Sequence, residues 1–204
     1  ATPGKVGDRM TDSPLGNPRL GQLLKNVCDT LDDADIEYAI IGGIALSIWG
    51  EPRTTFDIDL VVAASPGQIE SLCQVFRDSE RFVLEPSVCP MPNVTLVRVH
   101  QVDHDRAPSE LLLADLLVHE DDTAAHVIAR RRKGRFLGRD YWFCSPEDLI
   151  VLKLVAARPR DKMDVLAVLS QMSDELDFDY IEQRATDVGK SVEWKDLVSQ
   201  WKTQ

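Results

Sequence analysis

The sequence predicts an α/β (α+β) fold, with strands and helices interleaved through the first two thirds and a helical C-terminal part. Three observations carry this expectation. Apolar or alternating runs of strand length alternate with segments of helical period. Glycine, proline and serine clusters punctuate the boundaries between them. From Ser145 onward the helix signals continue through the last sixty residues.

In chain order, Leu20 to Leu31 reads as an amphipathic helix on Leu20, Leu23, Leu24, Val27 and Leu31. Tyr38 to Ile41 is a short strand, followed by a Gly42-Gly43 turn, a brief helix, and a second strand carrying Asp57 and Asp59. Ser65-Pro66-Gly67 opens a helix over Gln68 to Arg77. Strands over Val94 to His100 and Glu110 to Val118 follow, with the second interrupted by Asp115. A helix is expected over Asp122 to Arg132 and a strand over Phe136 to Phe143. Ser145-Pro146, with Glu147 and Asp148 behind it, is a capped helix start with negative charge at the positive end of the dipole. Pro159 should end that helix near Arg158.

At 204 residues the chain supports a single domain or a core with a helical appendage. We expect a flexible segment over 1–16, a core over 17–144, and a helical region over 145–204 that completes the cleft. The chain opens without methionine, an expectation of processing. No stretch approaches eighteen apolar residues and no signal-peptide pattern appears, so no membrane partner and a cytoplasmic location are expected. Cys28, Cys73, Cys89 and Cys144 are too dispersed for a zinc site, and reduced thiols are expected. His100 and His104 are four apart, but the segment Gln101 to Glu110 is turn-like, so a metal pair on a helix face is not expected.

The chemistry concentrates in residues 41 to 62, IGGIALSIWGEPRTTFDIDLVV. In an extended strand, residues i and i+2 share a face, so Asp57 and Asp59 stand side by side. Two carboxylates on an otherwise apolar strand repel and lose hydration, and a cation between them relieves both penalties. Hard oxygen donors suit Mg²⁺, which readily shares its coordination shell with phosphates. Gly42 and Gly43 allow a phosphate to approach the backbone closely.

Gly42-Gly43, thirteen intervening residues and Asp57-Ile58-Asp59-Leu60 resemble the signature of the polymerase-β-type nucleotidyltransferase superfamily. The fuller string GGIALSIWGEPRTTFDIDL resembles its AbiEii-like and MenT-like toxin subgroup. The resemblance covers about residues 36 to 164. It implies a mixed sheet flanked by helices, and transfer of a nucleoside monophosphate from an NTP to a hydroxyl with two Mg²⁺ ions held by three carboxylates. Asp115 is the expected third carboxylate, completing the metal site and helping to deprotonate the acceptor. Lys153 corresponds to a lysine that contacts the triphosphate, with Arg158, Arg160, Asp161 and Asp164 in the position of the family's later R-x-x-D-like cluster. Gly42, Gly43, Ser47, Arg53 and Thr54 complete the expected nucleotide-binding set.

The acceptor is open at this level. A net charge of −11 and a pI near 4.8 argue against broad nucleic-acid binding. Yet Arg130, Arg131, Arg132, Lys133, Arg135 and Arg139 place six cations within ten residues. They read either as a solvated helix end or as a strip guiding an RNA acceptor. The toxin-like resemblance favours a tRNA 3′ end and a cognate antitoxin. A small hydroxylated molecule such as an aminoglycoside, a protein hydroxyl, or an inactive nucleotide- or partner-binding module are the alternatives. Trp194 and Trp201 form an apolar stripe on the last helix, expected to pack on the domain itself.

Overall fold

The computed structural model describes residues 18–85, 93–102 and 112–203. The expected flexible segment over 1–16, Cys89, His104 and the opening of the Glu110–Val118 run lie outside the described residues. The first helix, α1 (Pro18–Asp33), buries Leu20, Leu23, Leu24, Val27 and Leu31, the stripe its sequence period predicts. Strand β1 (Tyr38–Ile41) is buried throughout and runs directly into α2 (Gly42–Trp49). Strand β2 (Asp57–Val62) exposes Asp57, half-buries Asp59 and buries the rest.

A capped 3-10 turn at Pro66–Gln68 leads into α3 (Ile69–Asp78). Next come β3 (Phe82–Glu85), β4 (Val94–Gln101) and β5 (Leu113–His119). The short strand β3 escaped the sequence reading because only Phe82 among its four residues is buried. The helix expected over Asp122 to Arg132 is shorter, α4 (Thr123–Arg130), and the strand expected over Phe136 to Phe143 is a hairpin. Its arms are β6 (Arg132–Phe136) and β7 (Arg139–Phe143). Arg131 adopts an extended conformation, φ −55° and ψ 146°, which ends the helix. Leu137 and Gly138, both at positive φ, then make the two-residue turn that suits strand twist.

Among the described residues, the strands form one seven-stranded mixed sheet in the order β3-β4-β5-β2-β1-β7-β6. β2 runs parallel to β5 and β1 parallel to β7, while the other neighbours are antiparallel. Helices α1 and α3 pack together with α1 on β2 and β5, and α4 covers β1, β2 and β5.

The C-terminal part contains α5 (Pro146–Ala156), α6 (Asp161–Met172), α7 (Phe178–Asp187) and α8 (Ser191–Lys202). Ser145 caps α5, its hydroxyl accepting the Asp148 N–H at 3.0 Å. The helix stops slightly before Arg158, because Ala157 adopts a left-handed conformation and its N–H donates to the Lys153 carbonyl. Helices α5 and α6 both contact α2, which ties the helical part to the glycine turn. Trp194 is buried, and Phe178 lies against both Trp194 and Trp201 at ring separations of 6.0 and 6.1 Å, so the tryptophan stripe packs on α7. Cys28, Cys73 and Cys144 are free thiols. Among the described residues, no helix is long and apolar enough to cross a membrane.

Candidate active site

A single cross-strand row organises the site. Ile41 on β1 lies opposite Asp59 on β2, Asp59 opposite Asp115 on β5, and Asp115 opposite Arg98 on β4. In-register neighbours on adjacent strands project from the same face, and strands are spaced about 4.8 Å apart. Asp57 shares that face two residues before Asp59. The acidic row stands at the start of β2, before the apolar stretch from Leu60 to Val62, where Asp57 is exposed and Asp59 half-buried.

Gly42 begins α2 directly against this row. Its φ is +65°, and a Cβ there would lie 2.1 Å from Asp59 Oδ2. Only glycine accommodates both the left-handed backbone and the carboxylate. At Gly43 a Cβ would lie 2.8 Å from Thr55 Oγ1. Buried Thr55 in turn donates to Asp57 Oδ1 at 2.7 Å, orienting that carboxylate. Sequence reasoning selected the neighbouring Thr54, which is exposed, and missed Thr55. The available signal was parity: Thr55, two residues before Asp57, is near enough to bond its side chain.

Electrostatics register the crowding of the aspartates. The Asp59 carboxyl is pushed up to about 7, first by burial and then by the negative charges of Asp57 and Asp115. Arg158 and Lys153 oppose that shift, so both cations act on the same carboxylate. Lys153 is buried and donates to Asp161 at 2.9 Å and to Asp164 at 2.5 Å. Asp164 also accepts from Arg53 Nη2 at 3.3 Å, and Asp161 accepts the Arg158 N–H at 2.8 Å. The loop before β2, α5 and α6 are therefore joined by a network of two cations and two anions, buried except at Arg53. Arg158 is exposed, and its guanidinium has no hydrogen bond or ion pair among the described residues.

Of the other expected residues, Ser47 stands five positions into α2, about 7.5 Å along the axis from Gly42, and donates to the Ile44 carbonyl at 2.6 Å. The arginine run divides between the end of α4 and the β6–β7 hairpin, with Arg139 on β7 paired to Asp29, and β1 lies between that hairpin and β2. Arg130 lies 3.8 Å over the Tyr180 ring and 3.6 Å from Glu147. Arg131 pairs with Glu37 at 2.6 Å, Arg132 with Glu147 at 3.1 Å, and Arg135 with Asp140 at 3.8 Å. Lys133 Nζ lies 4.9 Å over Trp142. Most of the run's charge is thus matched within the chain.

The carboxylates suit a hard divalent cation: they are oxygen donors, closely spaced, and the middle one is held protonated up to about pH 7 in the absence of a counter-charge. Asp57, Asp59 and Asp115 are the oxygen donors here that could hold such a cation. Among the described residues no three acidic, histidine or cysteine side chains form a ready-made metal cage. Both Asp115 oxygens are engaged by Arg98, through Nε at 2.7 Å and Nη2 at 2.8 Å. A groove of about 800 Å³ lies elsewhere, lined by Ala63, His119, Ile128 and Trp142 at the opposite ends of β2 and β5. Size does not make it the reactive site, because the paired carboxylates are not in its wall.

Solved structures share this fold. An antigenic nucleotidyltransferase-like protein from Paracoccidioides brasiliensis is 18% identical with a TM-score of 0.54, over 89% of this chain and 93% of that one. A putative nucleotidyltransferase from H. pylori is 18% identical with a TM-score of 0.53, over 91% and 80%. The antibiotic-resistance factor ANT(2'')-Ia is 13% identical with a TM-score of 0.55, over 89% and 98%. No curated protein matches the chain in sequence. The glycine turn, the aspartate row and the helical part that closes on them all fall within residues 19–204, the span matched by the family described as nucleotidyltransferase of unknown function (DUF6036), and the chain belongs to that family.

Proposed function

We propose that this nucleotidyltransferase moves a nucleoside monophosphate from an NTP to an acceptor hydroxyl with Mg²⁺ bound by Asp57, Asp59 and Asp115. The observation that carries the reading is the in-register row of Asp59 and Asp115 with Gly42 lying against Asp59. In the reaction, the acceptor oxygen forms a bond to the α-phosphorus, the bond from that phosphorus to the bridging oxygen breaks, and pyrophosphate leaves. The acceptor proton passes to Asp115. Mg²⁺ held by Asp57, Asp59 and Asp115 would supply charge neutralisation for the transfer.

Within the chain, Gly42 and Gly43 give the phosphates close access to the start of α2. Thr55 orients Asp57. Lys153 is already matched by two carboxylates, so its role is to hold Asp161 and Asp164 in place. The exposed guanidinium of Arg158 is the cation available to the leaving phosphates. Positioning and electrostatics provide the acceleration.

The toxin-like motif supports an RNA acceptor, especially a tRNA 3′ end, and a role as the toxin of a toxin–antitoxin pair. The internal pairing of Arg130, Arg131, Arg132 and Arg135 favours a second reading, a small hydroxylated cation, because little basic surface remains for a polyanion. The deciding experiment is label transfer from each α-³²P-NTP with Mg²⁺ to tRNA, to aminoglycosides and to protein. Label on tRNA that vanishes in Asp57→Ala supports the first reading, and label on an aminoglycoside supports the second. No Asp57-dependent transfer to any acceptor would count against an active enzyme.

A further inference from the structure

We infer that Arg98 is a positioning residue that stands in for a metal ion at Asp115, so that the third carboxylate joins the metal site only as the guanidinium is displaced. The inference rests on the proposed role of Asp115 as a metal ligand. Asp115 has a cation on one side and an anion on the other, Arg98 across β4 and Asp59 across β2. Its carboxylate therefore faces two competing uses along one row of the sheet.

The first use is fully satisfied in this structure. Arg98 Nε and Nη2 reach Oδ1 and Oδ2 at 2.7 and 2.8 Å, the two-bond fork that fixes a carboxylate plane. Asp115 is 13% exposed and Arg98 34% exposed, so the acid is held in the sheet while the guanidinium has access to solvent. The charges of Asp57 and Glu85 also act on Arg98, which keeps it within the field of the site. A fork-bound carboxylate directs both oxygens toward β4. Turning one toward β2, where Asp59 stands, costs at least one charge-assisted hydrogen bond.

Two consequences follow from that competition. Without nucleotide, the Asp57–Asp59 pair binds metal without disturbing Arg98, whereas an ion requiring Asp115 binds against the strength of the fork. Asp115 is also a weaker proton acceptor while Arg98 is bonded to both its oxygens, so release of Arg98 couples metal loading to readiness for transfer.

The test is Mn²⁺ binding to the whole chain without nucleotide, followed by calorimetry and by the paramagnetic resonance signal of free Mn²⁺. Asp115→Asn should remove one class of ion. Arg98→Ala should tighten that same class by about tenfold or more, the equivalent of one charge-assisted hydrogen bond. Arg98→Lys, which keeps the charge without the fork, should fall between, and it carries the test if the alanine variant does not fold. In Arg98→Ala/Asp115→Asn the gain should vanish. If the Arg98 variants bind Mn²⁺ equally or more weakly while Asp115→Asn still loses an ion, Arg98 is not a competitor and the inference is overturned with the metal role of Asp115 intact. If neither Asp57→Ala nor Asp115→Asn changes Mn²⁺ binding, the metal reading itself fails and the inference falls with it.

Discussion

Replacing Gly42 by alanine should disable the metal site through one methyl group. Gly42 has φ +65°, and the new Cβ would stand 2.1 Å from Asp59 Oδ2. Real Cβ contacts essentially never fall below 3.0 Å, so Asp59 or the helix start must retreat by about 0.9 Å. Ligand distances at a functional metal site tolerate about 0.2 Å, and a misplacement of about 1 Å is enough for a loss of roughly 100-fold in rate. The left-handed backbone adds about 1–2 kcal/mol of strain, a fall in Tm of about 2–8 °C for a chain of this size. Gly189→Ala is the matched control, since Gly189 has φ +70° but nothing within 4 Å of the added carbon. Gly189→Ala should therefore show the backbone strain alone and Gly42→Ala at least that loss by thermal denaturation, while only Gly42→Ala should weaken Mn²⁺ binding and nucleotide transfer by about 100-fold. Wild-type metal affinity in Gly42→Ala, or an equal loss in both variants, would refute the placement of Asp59 as a ligand held against the glycine.

Three further outcomes are expected. In chelator-treated protein, Asp59 titrates near 7 when folded against about 3.9 when unfolded, so the folded state holds the extra proton between those values. Its contribution is therefore greatest near pH 4 and lost as pH rises toward 7, by at most about 4 kcal/mol, and urea denaturation should show a flatter pH profile in Asp59→Asn; identical profiles would count against the crowding of the three acids. Lys153→Met leaves Asp161 and Asp164 buried with Arg53 as their remaining side-chain cation, and should lower unfolding free energy by about 3–5 kcal/mol in chemical denaturation; a near-neutral effect would mean the network is solvated. Thr55→Val removes the 2.7 Å hydrogen bond to Asp57 and should weaken Mn²⁺ affinity by about 10- to 100-fold with the fold retained by circular dichroism, whereas an unchanged affinity would show that Asp57 orients itself.

By itself the sequence determined the strand with its two aspartates, the glycine pair before it, the leucine stripe of α1 and the capped start of α5. Each is a local matter: alternation, spacing, helical period and cap chemistry act over a few residues and leave a readable pattern. The arginine run shows where local reading fails. Its cations resemble a helix end, but a two-residue turn at Leu137-Gly138 folds four of the six into an edge hairpin, and acids from distant elements, Glu37 and Glu147 among them, neutralise them. Tertiary structure alone decided that Lys153 is matched by Asp161 and Asp164. It likewise decided that Arg98 lies across from Asp115, because strand register brings together residues separated by long stretches of chain and no pattern within either strand encodes the partner.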